Sequence, residues 1–566
     1  MGFLKKRVRG NNLSSYYAEL ETPLLALSPD DRWNIQDAFE HTLIFGGTGS
    51  GKTSGSGRAL AHAFLQAGFG GLVLCAKPEE AERWVEYARV CGRDRSIVRL
   101  DASGRYRFNF LNYLMNMPAE QGGGLVDNAV NTFLRVLEAA QARGGAQGSH
   151  GDDAGFWQKA IRELLSHALG SLYHAYGRIT LDEMVKLVIS APTSEEQGRD
   201  PKFQESSFCY QTMRRVFTDP AVPLPDREAA LLVTYFGQNF GRLDHKTRSN
   251  IVISLTAEIS PFLKGPLHTL FCTETNVIPE VTHEGAIIIV DLPIKRFEHT
   301  GAVAQMLVKY LWQKATERRE IRADTRPVFL WADECQFFIS DYDREFQSTA
   351  RSAHAATVYI TQNLPSLYAQ IGGRNPQDLA DAIIGNFQTK IFHSNTDHRT
   401  NQWAADTIGR AIQRRSNRNW SASETEQFSE STSSNWSDQT SDSRGASWGH
   451  NSGSSYSVST AQLGQQGGGG SYGISSGDNY GGNSSRSRSQ SQGGGSSQSE
   501  SLSRGNTEGA GWSEQMDYMI QPAFFANGLR QGGSRNNRLV TGILLQANRD
   551  FSRTGTCWTQ VAFRQR

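Results

Sequence analysis

Eight consecutive residues, Gly46-Gly47-Thr48-Gly49-Ser50-Gly51-Lys52-Thr53, constrain this chain more than any other stretch. They follow the short apolar run "HTLIF" and precede a helical pattern, and they fit G-x-x-x-x-G-K-[ST] completely. Glycines at this spacing let successive backbone N–H groups turn inward around phosphate oxygens, and the helix start that follows adds a positive dipole end. In such a loop Lys52 reaches the terminal phosphates of ATP and Thr53 offers a hydroxyl to Mg²⁺. An ordinary glycine-rich turn is a poor alternative, because the strand and helix that the motif requires both flank it.

A second pattern completes the first. "PVFLWADECQFF" is an apolar run ending in Asp333-Glu334. An acid at a strand end, Asp333, is placed to hold Mg²⁺, and the next one, Glu334, to polarise the attacking water, which favours hydrolysis over transfer to a small metabolite. The following strand-like run, "AATVYITQN", ends in Thr361-Gln362, so Gln362 is a candidate sensor of the γ-phosphate. Between the two lies "REFQSTARSAHA", in which Arg351 is a candidate arginine finger toward a neighbouring subunit; a surface arginine is the plain alternative.

Further apolar runs, "GLVLCAKPEE", "SIVRLDASG", "GAIIIVDLP" and "TKIFHSN", alternate with helical patterns. This predicts an α/β chain whose mostly parallel sheet is covered on both faces. Between them the apolar spacing changes to three and four, as in "GFWQKAIRELLSHALGSLYHAYG", where Trp157, Ile161, Leu164, Ala168 and Leu172 share one face. The predicted order is an entry segment at 1–40, a first nucleotide-binding core segment at 41–116, an inserted all-α domain at 117–284 and a second core segment at 285–412. A Ser/Gly-rich insertion at 413–514 and C-terminal strands at 515–566 follow.

Of 566 residues only 38% are hydrophobic and 56 are glycine, much of that bias falling in 413–514. Such a composition buries too little apolar surface to offset ordering, so disorder is the first expectation. The period-two alternation of "SYSVSTAQL" and "SRSRSQSQ" leaves open polar strands that pair within an assembly. Lys+Arg is 58 against 57 Asp+Glu, so any polyanion partner must be held by a local basic surface. Lys246 and Arg248 in "GRLDHKTRSNIV" are candidates, equally readable as a helix-start surface pair. The six cysteines lack metal-ligand spacing and read as free thiols in a reducing compartment. No run approaches the ~18–20 apolar residues of a membrane span, so no direct span is expected.

In order, the phosphate loop, the helical insertion, "IIIVDLP", "FLWADE", "ARS", "YITQNLPSLY" and "IIGNFQTKIFHSNTD" resemble the conjugative coupling proteins of type IV secretion systems, within the FtsK–HerA superfamily of ring motors. "RFNFLN" at Arg107–Asn112 is similar to the Asn-Pro-Leu segment of that family. "CAKPEE" is similar to its Asp-Pro-Lys-Gly-Glu turn through Lys77 and Glu79. The resemblance implies a RecA-like P-loop ATPase core and a homo-hexamer with ATP and Mg²⁺ between subunits. It further implies DNA in the central channel, and membrane-embedded secretion or conjugation components as docking partners. Protein cargo or a relaxase is a further partner it allows. It carries the catalytic set Lys52, Glu334, Gln362 and Arg351, and a cytoplasmic place at the inner face of the bacterial inner membrane. The family's usual transmembrane helices find no counterpart here. Three functions fit: a DNA translocase, an ATP-switched receptor for secreted protein, and a DNA-processing motor working with a separate nuclease.

Overall fold

The computed structural model describes residues 20–141, 152–371, 375–432, 439–459, 471–492 and 496–565; side chains at 139–141, 152–157, 258 and, between 415 and 513, those of the long strands lie outside the description. The described residues fall into two compact units, 402–522 and the remainder.

The larger unit begins with a two-stranded ribbon, β1 (Pro23–Ala26) and β2 (Arg32–Asn34). A nine-stranded sheet follows, built from β3 (Thr42–Phe45), β4 (Gly70–Leu74), β5 (Ile97–Asp101), β6 (Ile287–Asp291), β7 (Val328–Asp333), β8 (Ala355–Thr361) and β9 (Thr389–Phe392). Two strands from late in the chain complete it, here numbered β14 (Leu539–Gln546) and β15 (Trp558–Arg564) after the four of the smaller unit. The order is β15-β14-β9-β3-β8-β7-β4-β6-β5. β3 to β9 run parallel, and β14 runs antiparallel to its two neighbours, β9 and β15. Apart from the edge strand β5, the parallel strands are almost continuously buried, as apolar runs flanked by helices should be.

One sheet face packs the helices Arg58–Gln66 and Glu79–Val90 through Phe64, Phe69, Trp84, Phe329 and Trp331. Trp84 lies flat on Phe329, centroids 5.3 Å apart, and edge-on to Trp331 at 5.1 Å. The long helix Ile294–Glu317 buries polar groups that tie loops together. Gln305 accepts from the Cys75 N–H and donates to the carbonyls of Cys75, Val290 and Leu292, joining the ends of β4 and β6.

The chain between β5 and β6 is helical, from Phe110–Met115 to Pro279–Glu284. Asn109, in the "RFNFLN" stretch, caps Phe110–Met115 through the Asn112 N–H, and its amide donates to the carbonyls of Ile179 and Thr273. It thereby knots the entrance of the helical region to its exit. In the helix Asp152–Tyr176, Ile161, Leu164, Ala168 and Leu172 are buried along one face as the spacing required, whereas Trp157 lies outside the described side chains.

The smaller unit differs from the disorder that composition favoured. β10 (Arg410–Thr432), β11 (Gln439–Ser459), β12 (Ser471–Gln492) and β13 (Ser496–Tyr518) form an antiparallel sheet in the order β10-β13-β12-β11. The pairing is within one chain, not only between copies. Its register runs without a slip from Arg410↔Tyr518 to Thr432↔Ser496. Composition reports the capacity for a core, and a ladder of backbone hydrogen bonds does not depend on one; the period-two alternation was the informative signal. Near its base Arg414 pairs with Glu514 at 2.7 Å, and the Arg410 guanidinium lies 4.4 Å over the Tyr518 ring.

Candidate functional site

β3, β8, β7 and β4 are adjacent and parallel, so their C-terminal ends form one edge. The phosphate loop leaves β3 there. The Gly46 and Gly47 N–H groups donate to the carbonyls of Thr361 and Ser394, pinning the loop between β8 and β9. Gly49 and Gly51 adopt φ of +77° and +84°, which a side chain would disfavour. A Cβ on Gly51 would also stand 2.5 Å from Val540 Cγ2 on β14. Thr48 and Ser50 complete the loop, and Lys52 is 8% exposed. Past Lys52 the helix opens with a wide turn, Thr53–Gly57, in which the Gly57 N–H reaches back to the Lys52 carbonyl at 2.9 Å.

The loop fits a nucleotide phosphate. Ser50 Oγ is buried without a hydrogen-bond partner among the described residues. A cleft of about 700 Å³ opens over the loop and is lined by three cations, Lys52, Arg83 and Arg535, and no carboxylate. The acids sit just beyond it. Thr53 Oγ1 donates to Asp333 Oδ2 at 2.8 Å, bringing the two motifs together across 280 positions. A hydroxyl and a carboxylate meeting this way are a donor pair suited to Mg²⁺.

Glu334 follows in a left-handed conformation, φ +53°, uncommon for a residue with a side chain. Its carboxylate receives Lys77 Nζ at 2.7 Å, Gln336 Nε2 at 2.8 Å and Gln362 Nε2 at 3.3 and 3.4 Å. Burial alone would raise its pKa. The bonds from Lys77 and Gln336, with the charge of Lys52, outweigh burial and hold it below the usual carboxylate value. Gln362 is itself held by Asn395, whose amide donates to its carbonyl at 2.9 Å. Glu80 behaves oppositely: burial, then the charge of Asp333, push its pKa up to about 8. Its Oε2 accepts the N–H groups of Ala76 and Lys77 and so shapes the turn that presents Lys77.

Below the loop lies His393, fully buried between Ser56 Oγ, 2.7 Å from Nε2, and the Thr541 carbonyl, 3.0 Å from Nδ1. His41, at the other end of β3, lies between the Gln347 carbonyl and the Thr357 N–H. Burial lowers both pKa values from 6.5 to about 4. Below the usual histidine value the unfolded chain takes up protons that the folded chain refuses. Stability therefore falls as pH drops from 6.5 toward 4, by up to ~3 kcal/mol per histidine. The urea midpoint at pH 5 should lie clearly below that at pH 8, and equal midpoints would contradict the buried neutral state.

The structure thus brings together Gly46 to Thr53, Asp333, Glu334 and Gln362. It does not bring Arg351 to them. Arg351 precedes β8 at the opposite edge of the sheet, roughly 20 Å away by strand length. It is mostly exposed and pairs with Glu40 at 3.3 Å. Arg248 is corrected outright as a surface cation: it is 8% exposed, donates to the carbonyls of Ala191 and Pro192, and lies 4.5 Å from the Phe240 ring centroid. A guanidinium can satisfy backbone carbonyls while stacking on a ring, so a basic residue in a first helical turn need not face water. Sequence reading gave no role to Lys77 beyond a motif match, and missed Gln336, Asn395 and the turn around Arg535. Gln336 was the most findable, two residues past Glu334.

Among the described residues no helix is long and apolar enough to cross a membrane, and no cluster of His, Cys, Asp and Glu is suited to a resident metal. All six cysteines are free.

Residues 327–448 match the family described as the TraM recognition site of TraD and TraG. No curated protein matches the chain in sequence. The bacterial conjugative coupling protein TrwBdeltaN70, in its unbound monoclinic form, is similar in fold: TM-score 0.50, 12% identity, 100% of this chain and 91% of that one covered. Plasmid coupling protein TrwB in complex with ADP and Mg²⁺ aligns with TM-score 0.43 at 15% identity, covering 73% of this chain and 81% of that one. VirB4 of Thermoanaerobacter pseudethanolicus aligns with TM-score 0.38 at 14% identity over 66% and 85%. The fold is that of a P-loop ATPase core carrying an all-α insertion, similar to that of the conjugative coupling protein, and residues 327–448 carry the family pattern described for TraD and TraG.

Proposed function

We propose that the chain is an ATP-hydrolysing ring motor that moves DNA, or DNA bearing protein, toward a secretion or conjugation channel. The observation that carries this reading is the meeting of Thr53 with Asp333 beside an ionised Glu334. That arrangement serves hydrolysis of a γ-phosphate. Lys52 neutralises phosphate charge, Thr53 and Asp333 would hold Mg²⁺, and Glu334 orients water and draws off its proton. Mg²⁺, when bound, offsets the charge that develops on the phosphate oxygens. Gln362 touches Glu334 and so connects the tip of β8 to that water. Arg351 acts, in this reading, on the site of an adjacent copy in a homo-hexamer, a role its exposure leaves room for. The family description at 327–448 names a TraM recognition site in TraD and TraG, and it favours a partner from the conjugation or secretion machinery at this segment.

The test is ATP turnover by the purified chain with and without DNA, alongside its assembly mass. Turnover should rise on adding DNA, and Arg351→Ala should lower turnover of the assembled form by about 10³-fold while leaving ATP binding intact. If a protein partner stimulates turnover and DNA does not, the motor acts as an ATP-switched receptor instead. No turnover in any assembly sinks both.

A further inference from the structure

The cleft over the phosphate loop has a second wall that the motifs do not announce. It is the turn Gly532–Asn536, between the short helix Pro522–Asn527 and β14. Gly532 and Gly533 take φ of +81° and +72°, a short helical turn Ser534–Asn536 follows, and Asn537 and Arg538 are again left-handed at +52° and +57°. Asn536 Nδ2 donates to the Gly532 carbonyl at 3.0 Å and closes the turn on itself. Its position is set by Gln565, just past β15. Gln565 Oε1 accepts the Gly533 N–H at 2.8 Å, and its Nε2 donates to Ser54 Oγ, next to Lys52 and Thr53, at 2.6 Å. Gln531 adds a second tie, donating to Ser394 Oγ at 2.9 Å on the segment that also binds the Gly47 N–H.

On this wall Arg535 is exposed, lines the cleft, and is engaged by no carboxylate among the described residues. We infer that Arg535 binds the phosphate chain of the nucleotide in cis, opposite Lys52, and that Gln565 is the latch holding its turn against the phosphate-loop helix. The inference rests on the nucleotide reading above and names a residue which that reading lacks. Arg83 faces Asp333 at 3.9 Å, so Lys52 and Arg535 are the cleft cations left for a ligand carrying several negative charges, and a guanidinium suits phosphate oxygens by forked hydrogen bonding. Gln565 touches no nucleotide in this scheme and acts as a positioning residue.

Titration of the full chain with fluorescent mant-ADP and Mg²⁺ tests the assignment, with displacement by inorganic tripolyphosphate as a second readout. Arg535→Ala should weaken both by about tenfold, Arg535→Lys should recover part of the loss, and Gln565→Ala should weaken both by about threefold. Melting temperatures should be unchanged for the Arg535 variants, since that side chain is exposed. If Arg535→Ala binds mant-ADP like the unaltered chain while Lys52→Ala does not, the wall assignment is overturned and the nucleotide reading stands. If Arg535→Ala weakens mant-ADP but leaves tripolyphosphate displacement untouched, the phosphate assignment is overturned. An unaltered chain that binds neither ligand overturns the nucleotide reading itself.

Discussion

Glu334→Gln is expected to lower ATP turnover by about 100-fold or more while nucleotide binding persists. The amide keeps the size of the carboxylate and its place at the end of β7, but it cannot accept a proton from water. The three donors that meet Glu334 give the experiment its sharpness. Lys77, Gln336 and Gln362 all point N–H groups at this carboxylate, and an amide presents only one acceptor oxygen to them. Lys77 then loses its ion pair, so the loop after β4 should loosen as well. Measured turnover within a few-fold of the unaltered chain would remove Glu334 from the chemistry. Asp333→Asn should behave differently, weakening Mg²⁺-dependent binding, because Asp333 meets the Thr53 hydroxyl and not Lys77. The pair of variants separates metal holding from water activation.

Breaking the buried ion pair behind the site should have the largest effect on stability. Lys309 and Asp343 meet at 2.5 Å with both side chains fully buried. Lys309 Nζ also reaches the Phe338 carbonyl and Ser340 Oγ, and Asp343 accepts from Tyr359 Oη and Gln313 Nε2. Burial opposes ionisation of Asp343, yet the Lys309 charge and its bond hold the carboxyl below the usual range. Removing either partner leaves a charge stranded in the interior. Lys309→Met or Asp343→Ala should therefore cost about 3–5 kcal/mol, seen as a large fall in the urea midpoint. Replacing both by apolar residues of similar volume should recover much of that loss. A double variant no more stable than the singles would mean that Tyr359 and Gln313, rather than the ion pair, dominate. The network also clamps the chain at 338–343, directly after Glu334 and Gln336, so the single variants should lose turnover before they unfold.

Much of the core was legible because burial on both faces leaves a continuous apolar run. "TLIF", "GLVL", "IIIVD", "VFLWAD" and "AATVYIT" are each fully or almost fully buried strands. That Gly46–Thr53 and Asp333-Glu334 lie at strand ends was legible because each follows such a run directly. Pairings between distant segments were not. Nothing local in "CAKPEE" says that Lys77 meets Glu334, 257 positions away, and the order β3-β8-β7-β4 that makes them neighbours is a tertiary outcome. Arg248 misled because charge patterning sees a residue type and not the carbonyls of Ala191 and Pro192 waiting for it. The Ser/Gly-rich stretch misled in the opposite sense, since its composition lacks a core while its backbone finds a ladder.

The latch between Ser54 and Gln565 spans 511 positions. On the ribosome the phosphate loop therefore emerges long before the wall that faces it. A nascent chain carries a loop open on one side until β14, β15 and their connecting turns have been made and docked. Tight retention of nucleotide is then expected only after β14 and β15 have joined the sheet.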